Sequence, residues 1–333
     1  MKPVLYLVIP CYNEEKVLPV TSQLFLDEIN LLINKDKISP DSRILFVDDG
    51  SKDKTWSLIE DLSKKDPHFI GISQSRNRGH QNAVLAGLME VKNAADITIS
   101  IDCDGQDDIT AMEKMVDSYL DGHDVVYGVR SKRDTDTFFK RFTAESFYKL
   151  LAMMGVEVIF NHADYRLISS RVLHEFAEFK EVNLFLRGLI PLVGFESDTI
   201  TYERSERLAG ESHYPLSKMF SLAFDGITSL SIKPIRMVLC FGIILAVLGT
   251  LGATASLIIG AVSSNEISVA LLCSVISLFT GINLIGLGVV GEYVGKIYME
   301  VKARPRYIIS KRTYEKAPVS TRKDKIEQPV QCR

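Results

Sequence analysis

The segment DCDGQDD holds the residues with the plainest capacity for chemistry. Asp102 and Asp104 lie two apart after an apolar run, and Gln106 adds a neutral oxygen two residues further on. Side chains at i and i+2 of a strand point the same way, so both carboxylates can face one cation. Oxygen ligands without His or Cys suit Mg2+ or Mn2+, held loosely enough to engage substrate phosphates as well. Acidic turn residues after a strand would leave the same trace, so the pair alone does not define a site. Asp48 and Asp49 precede Gly50 and Ser51, where a carboxylate can accept hydrogen bonds from a nucleobase or ribose. Arg130, Arg133, Lys140, Arg141, Arg204 and Arg207 supply cations suited to gripping phosphate. No G-x-x-x-x-G-K-[ST] sequence occurs, which argues against a P-loop nucleotide site.

These residues need elements to hold them. Val4–Ile9, Ile44–Val47, Phe69–Ser73, Ile97–Ile101 and Val125–Gly128 read as strands, and Asn13–Ile33, Lys54–Lys65, Gln81–Val91 and Thr110–Leu120 as the helices between them. That alternation predicts an α/β domain over residues 1–210, with a mostly parallel sheet covered by helices on both faces. CYNEE, DDGSKDKT, SRNRGHQN and DCDGQDD each follow one of the first four strands. Open α/β sheets bind ligands outside the carboxyl ends of their strands, so four polar clusters converge on one edge. Any one of them has a plainer reading. Asp53 can simply cap the helix that follows it, and His80 is read as a helix-start residue rather than a ligand.

Beyond residue 236 the composition changes. Met237–Gly260 is a run of 24 residues without a charge, and Ile267–Gly291 a second run of 25. Roughly 20 residues of helix cross a hydrocarbon core, so 237–291 predicts a membrane hairpin. Its connector carries no Lys or Arg, whereas Lys233 and Arg236 precede the first run and Lys296, Lys302, Arg304 and Arg306 follow the second. The positive-inside rule then places both termini and the α/β domain in the cytoplasm, on a multi-pass protein of the cytoplasmic membrane. The short apolar run Val4–Pro10 does not make a signal peptide. Gly286, Gly288 and Gly291 match G-x-G-x-x-G, but inside the second run, where small residues for close helix packing explain them better. Within 211–236, Leu216, Phe220, Ala223, Ile227 and Leu230 fall at helical spacing, which predicts an amphipathic helix in the membrane interface.

Composition bounds the rest. With 333 residues, 46% hydrophobic and 24% charged, the chain is neither disordered nor fibrous. Cys11, Cys103, Cys240, Cys273 and Cys332 form no short-spaced pair, which fits a reducing compartment and no zinc site. The formal net charge of −3 divides unevenly: residues 292–333 hold 11 Lys and Arg against 5 Asp and Glu, a net of +6, leaving −9 before them. A basic tail beside a membrane span suits anionic lipid, and an acidic α/β half argues against nucleic acid.

VIPCYNEE, FVDDGSKDKT, DCDGQDD and YGVRSKRD, in that order, resemble the inverting GT-A glycosyltransferases of family 2. ADYRLISSRV, ERSERLAGESHY and the closing GEYVGKIYMEVKARPRYII narrow the resemblance to the polyprenyl-phosphate group, bactoprenol glucosyltransferase-like and related to dolichyl-phosphate mannose synthase. The resemblance implies a Rossmann-like GT-A domain that transfers sugar from a nucleotide-sugar, with a UDP-sugar expected, to undecaprenyl phosphate for cell-envelope glycan. It assigns Pro10, Tyr12, Glu14, Asp49, Asp102 and Cys103 to the donor, and Asp102, Asp104 and Gln106 to Mg2+ or Mn2+. It makes Asp164 the catalytic aspartate with Arg166 beside it, and gives Arg130 and Arg141 to the sugar diphosphate and acceptor phosphate. Arg204 and Arg207 fall to the lipid-phosphate clamp, and a homo-tetramer is implied. DGQDD departs from relatives that carry proline after QD. Two other readings compete. A processive polysaccharide synthase needs a late Q-x-x-R-W, but the single tryptophan is Trp56, and a silent membrane-anchored scaffold would not need the acidic set.

Overall fold

A computed structural model describes residues 2–130, 162–182, 184–203 and 269–315, with scattered residues between 235 and 244. In chain order the elements are β1 (Leu5–Cys11), α1 (Leu18–Asn34), β2 (Arg43–Asp48), α2 (Thr55–Lys65), β3 (Phe69–Gln74), α3 (His80–Val91), β4 (Ile97–Ser100) and α4 (Ala111–Leu120). They continue with β5 (Val125–Arg130), β6 (His162–Ser169), α5 (Ser170–Phe176), α6 (Leu186–Leu192), β7 (Ser197–Tyr202), α7 (Val269–Lys302) and β8 (Ile309–Arg312). All eight strands lie in one sheet, ordered β7-β5-β6-β4-β1-β2-β3-β8. The pairs β1/β2, β1/β4, β2/β3 and β5/β7 are parallel, whereas β6 runs antiparallel to β4 and β5, and β8 antiparallel to β3.

β1 (LYLVIPC) is apolar almost throughout because helices cover both faces of the sheet. Leu7 and Ile9 enter a core with Phe25 and Ile29 of α1 and Met112 of α4, while Val8, between them, packs with Val84 and Leu88 of α3 on the other face. α1 begins five residues later than expected. Pro19 sits in its first turn, and the residues before it are spent on the neighbouring loop. There Asn13 N donates to Ser51 Oγ, Glu14 N to Thr55 Oγ1 and Glu15 N to Asp53 Oδ2. Asp53 also accepts from Thr55 N and Thr55 Oγ1, so it does secure the start of α2.

β8 differs from the tail reading. Residues 309–312 add an edge strand to β3, and Arg312 and Tyr314 both donate to Glu90 on α3. The second uncharged run behaves differently from expectation too. α7 continues eleven residues past Gly291, to Lys302, as one helix of 34 residues. Its far end is pinned to the α/β domain, with Val182 N donating to both Glu300 oxygens and Arg306 donating to the carbonyls of Phe179 and Glu181. Among the described residues no helix is long and apolar enough to cross a membrane. The expected two-helix hairpin is therefore not supported by the described helices. Most of its first run, its connector and the interfacial segment 211–234 lie outside the described residues. One contact bears on the small-residue reading: a Cβ at Gly286 would meet Val238 Cγ1 at 3.4 Å.

Candidate active site

Parallel β4, β1, β2 and β3 end on one edge of the sheet, which gathers the loops after Ser100, Cys11, Asp48 and Gln74. β6 runs the opposite way, so its beginning lies against the end of β4. Arg166 pairs with Ser100 in register, and Ser100 Oγ donates to the Asp164 carbonyl at 2.7 Å. Antiparallel pairing thus carries Asp164 to the DCDGQDD turn across 60 residues of chain. Asp164 and Arg166 face the same side of β6, while Tyr165 between them is buried in the other core against Tyr202.

Asp164 is held by cations. Arg166 Nη2 donates to Oδ1 at 2.5 Å, and Arg187 on α6 donates through Nε to Oδ1 at 3.2 Å and through Nη2 to Oδ2 at 3.0 Å. His80 Nε2 stands 3.5 Å from Asp164 Oδ2 and 3.6 Å from Asp102 Oδ1, bridging the two acids. Burial works to raise the Asp164 carboxyl, but Arg187, His80 and Arg166 outweigh it and hold it well below the usual carboxylate range. Burial likewise works against a charged His80, yet Asp102 and Asp164 push its imidazole up to about 9. His80 is the first residue of α3, after the N-cap Gly79, so it does stand at a helix start, and its ring also lies between Asp102 and Asp164.

The DCDGQDD segment is a turn, not a strand end as the i, i+2 argument requires. Asp102 is partly exposed and Asp104 buried, with Asp104 Oδ1 accepting from Gln106 N at 3.1 Å. Cys103 turns inward, 3% exposed and 3.8 Å from Thr21 Oγ1, so its side chain belongs to the core rather than to a donor. Among the described residues no group of three His, Cys, Asp or Glu is gathered around one point as a metal site. The donor set nevertheless fits a hard cation. Burial, with Asp107, Asp164 and Asp104 nearby, raises the Asp102 carboxyl against the opposing pull of His80, and a divalent ion relieves that crowding of carboxylates.

Asp107 is buried and accepts from Tyr202 OH at 2.6 Å and from Arg130 Nη2 at 3.1 Å. Arg130, expected at a phosphate, is thus tied to a carboxylate of the DCDGQDD turn itself. Asp49, expected at the nucleotide, accepts from Arg78 N at 2.8 Å and Gly79 N at 2.9 Å, which fixes the loop that carries His80. Asp48 accepts from Ser73 Oγ and Ser51 N. Gly50, between these loops, has φ +68°, and a Cβ there would lie 2.6 Å from Arg76 C. Pro10 is buried near the end of β1, Tyr12 is 42% exposed and Glu14 is half-buried in the loop that follows. Arg133, Lys140, Arg141, Arg204 and Arg207 lie outside the described residues.

Arg187, Asp107, Tyr202 and the bridging role of His80 escape a reading of the sequence. The one signal for Arg187 is a lone charge in the apolar run LFLRGLI, and Asp107 stands in plain view inside DCDGQDD without its partner being visible.

Residues 6–176 match the family model described as Glycosyl transferase family 2. The chain is similar to the uncharacterized glycosyltransferase YkoT of Bacillus subtilis (strain 168), 46% identical over 308 residues covering 92% of this chain and 91% of that one. It is similar to the bactoprenol glucosyl transferase of Shigella phage SfX, 37% identical over 310 residues covering 92% and 98%. Among solved structures, mannosyltransferase PcManGT from Pyrobaculum calidifontis, in complex with GDP-Man and Mn2+, aligns with a TM-score of 0.43 at 17% identity, covering 91% of this chain and 86% of that one.

Proposed function

The chain belongs to glycosyl transferase family 2 and is a glycosyltransferase, and from that premise we propose that it moves a sugar, with inversion, from a nucleotide-sugar to the phosphate of undecaprenyl phosphate. A UDP-sugar is the expected donor. The observation that carries this reading is the meeting of Asp102 and Asp164 across His80, which joins a metal-suited turn to a cationic cluster at one sheet edge. The bactoprenol glucosyl transferase name of a relative aligned over nearly the full length of both chains supports the acceptor class.

Asp102, Asp104 and Gln106 would hold Mg2+ or Mn2+, which supplies neutralising charge for a departing diphosphate. Tyr12, Glu14 and Asp49 border the donor side, and Asp49 keeps the 76–79 loop in place for it. Arg130 stays oriented by Asp107 and Tyr202, with its remaining guanidinium edge available to phosphate. The acceptor needs little help to ionise. A phosphate monoester has a second pKa of about 6 and is largely dianionic at neutral pH. Asp164, surrounded by cations, therefore serves geometry rather than proton removal. Arg141, Arg204 and Arg207 complete the phosphate clamp by family resemblance.

Membrane attachment belongs to the same proposal. The uncharged runs 237–260 and 267–291 support a hairpin, 211–236 an interfacial helix, and 292–333 a basic cytoplasmic region. Exposed Ile276, Phe279, Leu284, Ile285 and Leu287 on α7 support burial of that helix in lipid. The catalytic domain and both termini then face the cytoplasm, and a homo-oligomer follows the resemblance. Membranes holding the full chain, given undecaprenyl phosphate and a panel of nucleotide-sugars, should yield a lipid-linked monosaccharide identifiable by mass spectrometry. No lipid product from any donor would overturn the proposal.

A further inference from the structure

We infer that Arg187 is the cleft residue that binds the acceptor's phosphate, with Asp164 as the anchor that aims its guanidinium. The assignment rests on the acceptor being a phosphate monoester, as proposed above.

Position comes first. Arg187 is the second residue of α6, and the residue before it is secured from two sides. Leu186 N donates to Gln81 Oε1 at 2.8 Å, next to His80, and Leu186 O accepts from Arg166 Nη1 at 3.4 Å. The backbone that carries Arg187 is therefore tied to Arg166, which holds Asp164, and to Gln81, the neighbour of His80. The guanidinium then meets Asp164 edge-on through Nε and Nη2, a bidentate grip that fixes its plane as well as its place.

Exposure separates the two arginines. The Arg166 side chain is 1% exposed, whereas that of Arg187 is 29% exposed. Arg166 cannot reach a ligand without unpacking, so of the two arginines on Asp164 it is Arg187 that can meet the acceptor. Charge then selects the ligand. The Asp164 carboxylate holds two guanidinium groups, and of these only that of Arg187 is partly exposed. A planar guanidinium with a fixed orientation is matched to phosphate oxygens rather than to a sugar hydroxyl. The donor diphosphate belongs with Asp102 and its metal turn, which leaves the Asp164 side for the attacking phosphate.

The test uses the full chain in detergent, with the nucleotide-sugar that wild type accepts and undecaprenyl phosphate varied. Arg187→Ala should raise the acceptor KM about 10- to 100-fold, the loss of a charge-assisted contact to phosphate. The donor KM should change less than about threefold, a split that a structural role would not produce. Arg187→Lys should recover part of the acceptor affinity, and Arg187→Gln supplies the same reading should the alanine variant fail to fold. An acceptor KM within twofold of wild type in Arg187→Ala or Arg187→Gln, or an equal rise in donor KM, overturns the assignment. Wild type that transfers to no polyprenyl phosphate would overturn the acceptor class itself, a different failure from wild-type transfer indifferent to Arg187.

Discussion

Replacing Gly50 by alanine should damage both stability and donor binding, and the structure separates the causes. Gly50 has φ +68°, a left-handed backbone that costs a residue with a Cβ about 1–2 kcal/mol. An alanine Cβ would also stand 2.6 Å from Arg76 C, 2.7 Å from Asn77 N and 2.8 Å from Arg76 Cα, all of them backbone atoms. No rotamer relieves such a contact, so the 76–79 loop must move. That loop is held by the hydrogen bonds of Arg78 N and Gly79 N to Asp49. Stretching them, with the overpacking, adds about 2–3 kcal/mol. Gly194→Ala is the control, because Gly194 has φ +77° but nothing within 4 Å of its Cβ position. It should lose only the backbone cost of about 1–2 kcal/mol. At roughly 2–4 °C per kcal/mol for a domain of this size, Gly50→Ala should melt about 5 °C or more below Gly194→Ala. Thermal melting of both variants, paired with donor KM, reads the result. Because His80 rides on the displaced loop, donor KM should rise only in Gly50→Ala. Equal melting temperatures for the two variants would refute the collision, and an unchanged donor KM would refute the link from this loop to the donor.

Other consequences can be measured alongside. Asp104→Ala should abolish turnover, and retained metal-dependent activity would sink the metal assignment of the 102–106 turn. Asp107→Ala removes the acceptor for both Tyr202 and Arg130 and should cost about 3 kcal/mol, whereas Tyr202→Phe should cost about 1 kcal/mol, as melting temperatures will register. The Asp164 carboxyl is held well below its usual range, so it stays ionised through the neutral region and contributes no limb to the pH profile of kcat/KM. Wild type and Asp164→Asn should both fall as pH drops through about 6, where the acceptor phosphate gains its proton. A loss in Asp164→Asn that vanishes above pH 8 would instead mark Asp164 as a base.

Local pattern sufficed wherever an element is buried by its neighbours on both sides. The five early strands appear within two residues of their apolar runs because each is covered by helices that the same pattern predicts. β6 hides in ADYRLIS because Arg166 occupies a buried position of a strand, which the Asp164 carboxylate at i−2 and the Leu186 carbonyl make tolerable. β8 hides in a basic stretch. Lys311 and Arg312 suit an edge strand, and the reason Arg312 belongs there is Glu90, more than two hundred residues earlier. α1 starts later than its apolar pattern for a related reason. Asn13 to Glu15 have their backbone groups satisfied by Ser51, Asp53 and Thr55, partners that become neighbours only when β1 and β2 pair.

The same limit governs the site. Strand-end clusters announce that acids and bases meet at one edge, but not which of them neutralise one another. Counted from sequence, Asp102, Asp104, Asp107 and Asp164 look like one acidic field awaiting metal and phosphate. Folding divides them. Asp107 takes Arg130 and Tyr202, and Asp164 takes Arg166 and Arg187, so each becomes a support for an arginine rather than a ligand for a cation. Asp102 instead has an imidazole at 3.6 Å, shared with Asp164, and remains partly exposed. Asp102 would hold a divalent ion whose charge competes with the His80 imidazole for that carboxylate. His80 therefore stands where donor loading and acceptor-side geometry exchange partners, and His80→Ala should weaken the dependence of acceptor KM on metal concentration. Acceptor kinetics at low and saturating Mn2+ in wild type and His80→Ala measure this, and an undiminished dependence in the variant would refute the exchange.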